Sequence, residues 1–122
     1  MANEISVSVS LKSSKINVSM NVGTSFQTDM TGVHKQSVNQ LIGFNAHEPI
    51  ELVTDLGTPG FIHLKNLDPT NFILIGVDVS AAFTKMIHLD PGQATVFQIA
   101  NVPLFAQADT ADCLLQVDIL EV

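Results

Sequence analysis

Two runs of alternating apolar and small polar residues open the chain. Ile5, Val7, Val9 and Leu11 are separated by Ser6, Ser8 and Ser10; Ile16, Val18, Met20 and Val22 are separated by Asn17, Ser19 and Asn21. A period of two places each apolar set on one face of a strand. Lys12-Ser13-Ser14-Lys15 lies between the runs and predicts a β-hairpin over residues 4–22. The predicted pairs are Leu11 with Ile16, Val9 with Val18, Val7 with Met20 and Ile5 with Val22, because this register joins apolar to apolar and serine to serine or asparagine. A two-stranded ribbon is only marginally stable by itself. The eight apolar residues are therefore candidates for an interface with a second copy or another protein.

The pattern continues as short strands between turns. A blurred strand is predicted around Val38–Ile42, a short one over Ile50–Val53, and clearer ones over Phe61–Lys65 and Phe72–Val79. Phe72-Ile73-Leu74-Ile75 is apolar at successive positions, which predicts a strand covered on both faces, either central in a sheet or lying at a subunit contact. Lys85–Leu89 and Thr95–Ile99 are predicted to pair across Asp90-Pro91-Gly92, and Leu114–Val122 closes the chain as a strand. Residues 23–32 and 101–112 read as loops. About eight or nine short strands with no helix predict an all-β fold, an antiparallel β-sandwich with the jelly roll as one of its forms. One domain spanning residues 1–122 is expected.

Composition narrows the function classes. Charged residues make up 14% of the chain and apolar ones 46%, against about 25% charged in an ordinary soluble domain. Such a neutral surface suits burial in an assembly. The net charge is −7, all five basic residues are lysine, and there is no Trp or Tyr. Phosphate neutralisation and base stacking need the tools this chain lacks, so nucleic acid is not an expected partner. No apolar run approaches the roughly 20 residues of a membrane helix, and the start of the chain carries no export signal. Synthesis in a cytoplasm, without a membrane partner, is the expectation.

Candidate chemistry is sparse. His34, His47, His63 and His88 contain no His-x-His pair, and surface or loop positions are expected for them rather than a metal site. Cys113 opens an apolar strand and is expected to act as a small buried hydrophobe. Asp78, Asp109 and Asp112 lack the spacing of a calcium loop. Gly60, Asn66, Asp68, Pro69, Asn71, Pro91 and Gly92 are expected to shape turns, since Asn and Asp side chains bond nearby backbone and Pro and Gly preset its angles. No catalytic residue, metal or cofactor is predicted.

The words Gly60-Phe61…Lys65-Asn66-Leu67-Asp68…Thr70-Asn71-Phe72, Leu89-Asp90-Pro91-Gly92-Gln93 and Ala106…Ala108-Asp109 resemble small structural proteins of tailed bacteriophages. The likeness covers about Gln36 to Val122 and leaves the N-terminal hairpin outside it. It implies a virion component without a catalytic role, made in the host cytoplasm and built into the particle. A capsid decoration or cement protein is the favoured form, a homotrimer bound to the major capsid protein on the outer surface. A tail, collar or fibre-associated protein is the alternative, and a small β-barrel ligand-binding protein or enzyme is a further one.

Overall fold

A computed structural model describes residues 3–53, 56–100 and 103–121. The chain divides into two compact units, Met1–Val33 and His34–Val122. The described residues form strands, turns and loops, with no helix among them.

The first unit is an antiparallel hairpin of β1 (Ile5–Ser13) and β2 (Met20–Thr28). Its register differs from the predicted one. Leu11 faces Val22 rather than Ile16, Val9 faces Thr24, Val7 faces Phe26 and Ile5 faces Thr28. The turn explains the shift. Lys12–Lys15 has no residue suited to positive φ, whereas Asn17 adopts φ 67° and Val18 N–H closes onto the Lys15 carbonyl at 3.0 Å. That is the place where a type II turn needs such a residue. Ile16 and Val18 consequently lie in the loop, and β2 runs through residues expected to be loop, as far as Thr28. Face alternation survives, because a slip by an even number of residues leaves each side chain on its side. At the base, Asn3 N–H donates to Asp29 and Met30 N–H to Glu4.

Among its described residues the second unit has eight strands: β3 (Lys35–Ile42), β4 (Glu48–Pro49), β5 (Pro59–Asn66), β6 (Ile73–Val79), β7 (Ala82–Leu89), β8 (Ala94–Gln98), β9 (Phe105–Ala108) and β10 (Cys113–Glu121). They form two antiparallel sheets of order β3-β10-β5-β8 and β4-β9-β6-β7. Among these described strands, β6 and β7 alone make a local hairpin, and each other consecutive pair lies in different sheets. This is the jelly-roll order, within the sandwich class the strand pattern predicts. The core lies between the layers. Leu64, Leu115, Val117 and Ile119 come from one sheet and Ile73, Ile75, Ala106 and Ala108 from the other. Burial in β10 alternates, with Cys113, Leu115, Val117 and Ile119 all inside. As expected of a run apolar at successive positions, β6 is central, between β9 and β7.

Three local expectations are corrected. The strand β8 does not pair with β7 across Asp90-Pro91-Gly92. Asn66 N–H donates to the Gln93 carbonyl and Gly92 N–H to the Asn66 carbonyl, which draws the chain onto β5, where Ala94 faces Lys65. The strand β9 lies inside the expected loop 101–112. Alanine is a weak strand former in isolation, yet Ala106 and Ala108 face Ile75 and Ile73 and are buried there.

The segment at Ile50–Val53 is not a ladder strand. Two glutamines of β3 occupy one edge of it instead. Gln36 Nε2 donates to the Glu51 carbonyl (2.9 Å) and Gln36 Oε1 accepts from Val53 N–H (2.8 Å). Gln40 repeats the arrangement one step earlier, to the Pro49 carbonyl (3.1 Å) and Glu51 N–H (2.9 Å). Side-chain amides thus stand in for a neighbouring strand. Ile50 N–H, meanwhile, donates to the Leu104 carbonyl.

The β6–β7 turn contains strain. Ser80 and Ala81 hold φ 53° and 68° between the paired Val79 and Ala82. A two-residue type I′ loop requires positive φ at both positions and favours Asn-Gly. Asp78 steadies it by accepting from Ala81 N–H at 2.8 Å. Replacing Ser80 with Asn and Ala81 with Gly is expected to stabilise the fold by about 1 kcal/mol. The urea midpoint should rise with unchanged slope; an unchanged or lower midpoint would contradict the strain.

Candidate interaction surface

Among the described residues, seven of the exposed large apolar side chains lie in the hairpin and its loop: Val9, Leu11, Ile16, Val18, Met20, Val22 and Phe26. Val9, Leu11, Val22 and Phe26 sit on one face of the ribbon and are exposed, Leu11 to 62%. Ile16, at 84%, and Val18 extend this apolar character into the loop, and Met20 lies opposite Ser13. Of the eight predicted interface residues, Ile5 and Val7 are buried and the other six are exposed. Phe26 joins the face only through the true register, so alternation within residues 4–22 could not reveal it. The opposite face pairs Ser6 with Gln27, Ser8 with Ser25, Ser10 with Gly23 and Lys12 with Asn21.

Apart from Gly60, the residues expected in turns are concentrated around Asn66. Asn66 is fully buried, and every polar atom of it is engaged. Its Nδ2 donates to the carbonyls of Asn71 (2.9 Å) and Leu89 (3.0 Å), and its Oδ1 accepts from Asp68 N–H (2.9 Å). Asp68 in turn accepts from the N–H groups of Thr70 (2.9 Å) and Asn71 (2.6 Å) around the exposed Pro69. The Asn71 and Thr70 N–H groups hold its carboxyl below the usual range. Asp90–Gln93 closes as a type II turn, with Pro91 second and Gly92 third at φ 80°. Gly60, expected to shape a turn, instead lies within β5, which begins at Pro59; it is buried, and its carbonyl accepts from Ile99 N–H at 2.7 Å.

Each histidine faces one carboxylate. His34 meets Glu121 at 3.2 Å, His47 meets Asp78 at 2.7 Å, His63 meets Asp118 at 3.0 Å and His88 meets Asp90 at 2.9 Å. His47 also stacks on Phe83 and meets the edge of Phe105; His88 stacks on Phe72. These are four separate pairs: no three potential ligands converge among the described residues. Asp78, one of the three aspartates weighed for calcium, is thus taken up by His47 and Ala81. Cys113 lies in the core, where burial and the nearby Asp68 push its thiol pKa up, away from the nucleophilic thiolate. Sequence separation hid three of the four histidine pairs, and His63 and Asp118 meet only through the β5–β10 register; His88 and Asp90 are two residues apart.

The electrostatics predict acid lability. The His47 hydrogen bond holds the Asp78 carboxyl below its ordinary value. Burial raises Asp118, but hydrogen bonds from Gln116, His63 and Ser37 outweigh it and leave that carboxyl low as well. A depressed folded-state pKa means that the unfolded chain binds more protons over this range. The stabilisation is complete above the unfolded carboxylate pKa of about 3.9 and is lost as pH falls through the lower folded value. Unfolding midpoints followed from pH 6 to pH 2 should therefore drop below about pH 4. Asp118→Asn should flatten part of that slope; an unaltered slope would contradict the assignment.

Comparison with protein-family models, with characterised proteins and with solved structures returns no match for this chain.

Proposed function

We propose that the protein is a non-enzymatic virion component of a tailed bacteriophage. In this reading it is a decoration, or cement, protein that binds the major capsid protein on the outer lattice as a homo-oligomer, a trimer being favoured. The observation that carries the proposal is the ribbon with Val9, Leu11, Val22 and Phe26 uncovered on one face and Ile16 and Val18 uncovered at its tip. A contiguous apolar ladder of this kind is an interaction surface in want of a partner. The jelly roll supports the reading by analogy only, since the same architecture serves capsid proteins, lectins and cupins. The turn words around Asn66 and Pro91 add the resemblance already described.

The mechanism is mechanical. Each copy buries apolar surface on its neighbours, and a lattice multiplies a modest local affinity by many simultaneous contacts. An arginine-free chain of net charge −7 suits the outer surface, away from packaged nucleic acid.

The test adds the purified chain to capsids assembled without it, followed by sedimentation and quantification of bound copies. Binding in proportion to capsid subunits, with greater resistance of the particle to heat, is expected. Leu11→Glu with Val22→Glu should abolish it while leaving the jelly roll folded. A few copies at a single vertex would move the protein to the tail or collar. No binding, together with a small molecule retained by the purified chain, would overturn the assembly reading.

A further inference from the structure

We infer that the hairpin of one copy docks into an acid-rimmed groove on the second unit of another copy. This rests on the assembly reading above and names the partner of the same surface: a second molecule of this chain.

Charge is divided unevenly along the sequence. Residues 1–33 hold two of the five lysines and two of the twelve acids, so they carry no net charge, and the remainder carries all of the −7. Within the hairpin the division sharpens. Lys12 and Lys15 stand at its tip, and no acidic residue lies between Glu4 and Asp29. Both lysines are exposed: Lys15 lies in the loop next to Ile16, and Lys12 stands on the ribbon face opposite Leu11 and Val22. The tip is therefore apolar and cationic together, on a chain whose other unit is anionic.

The second unit has a surface of matching chemistry. A groove of about 390 Å³ runs between β3 and the segment that Gln36 and Gln40 hold extended. Val38 and Leu52 give it an apolar lining, each more than a third exposed, and Glu48 and Glu51 bring two carboxylates. The Glu48 carboxylate accepts from Gly43 N–H and Gln40, which fixes it in place; the Glu51 residue is exposed. The strand β3 is also the terminal strand of its sheet, so among the described residues its outer edge pairs with no strand. Apolar side chains on an apolar lining, with two lysines opposite two glutamates, give complementary contacts that steer and register the two copies. Docking of an arm on a neighbour's groove is a heterologous contact, which closes into a ring when the rotation permits.

The test is the mass of the full chain in solution, by light scattering behind a sizing column across concentration and salt. An oligomer weakened by salt is expected. Lys12→Glu with Lys15→Glu, at exposed sites, should raise the dissociation constant about tenfold or more, and Glu51→Lys should do the same. Combining Lys15→Glu with Glu51→Lys reverses one charge on each partner and should restore assembly. That rescue is the signature which a loss of folding cannot imitate. A monomer at every concentration, or an oligomer indifferent to each reversal, would overturn the docking. So would capture of the monomer by vesicles of anionic lipid, which would make the tip a lipid-binding element. Capsid binding by a monomeric wild type would overturn the docking and leave the decoration reading standing. A rescued oligomer that ignores capsids would do the reverse.

Discussion

Asn66→Leu is expected to destabilise the jelly roll by about 3–5 kcal/mol, a large share of the roughly 5–15 kcal/mol that holds a domain together. Leucine fills much the same space, so the effect is one of hydrogen bonding. The change takes the amide donor from the Leu89 and Asn71 carbonyls, leaving Asn71 its long contact with the Cys113 thiol, and leaves Asp68 N–H without its acceptor. Each orphaned buried group costs roughly 1–3 kcal/mol. Asn66→Asp separates the terms further. It retains the acceptor for Asp68 but turns carboxylate oxygens toward two carbonyls in a fully buried position. It should be at least as damaging as leucine. Urea unfolding checks both variants, and a loss under 1 kcal/mol for either would contradict the role of Asn66 as the hub of these turns. The damage should spread beyond the substituted residue. Asn66 backbone groups also bond Gln93 and Gly92, so faster amide exchange is expected at both connections.

Gly76→Ala should be the other severe change. A Cβ built at Gly76 would lie 2.0 Å from the Thr84 carbonyl oxygen and 3.0 Å from the Lys85 Cα. Backbone cannot rotate out of the way as a side-chain tip can, so the β6–β7 ladder would have to open. The close approach arises at a bulge: Ile75 faces Ile87 but Gly76 faces Lys85, which leaves Met86 as the extra residue. The cost is expected at about 3 kcal/mol or more, the upper end for overpacking. Gly23→Ala is the control, because its nearest neighbour would be the Val9 carbonyl oxygen at 3.4 Å, an ordinary contact. Equal midpoints for the two variants would contradict the bulge geometry.

The strands were legible where burial on one face writes a period of two into the residues. Strand β10 shows it in Cys113, Leu115, Val117 and Ile119, and β1 in its serine alternation. Pairing was less legible. Parity fixes which face a residue takes, and every even slip satisfies it, so the hairpin register passed to a turn whose decisive residue is Asn17. Turn words also fail to say which sheet the next strand joins. Asp90-Pro91-Gly92 reads like a hairpin, whereas the buried Asn66, distant in sequence, directs β8 onto β5. The segment β9 was hidden because its inward residues are alanines chosen for fit against isoleucine. The candidate surface was legible in kind, as an apolar ribbon, but its membership changed with the register, and the groove facing β3 depends on Gln36 and Gln40, whose polarity blurred the strand they sit on.

Capsid decoration is tested most directly by an image reconstruction of capsids assembled without this chain and then saturated with it. Jelly-roll density is expected on the outer lattice at repeated symmetry-related positions, with hairpin density joining neighbouring copies. A bare lattice, or density confined to the tail vertex, would contradict it.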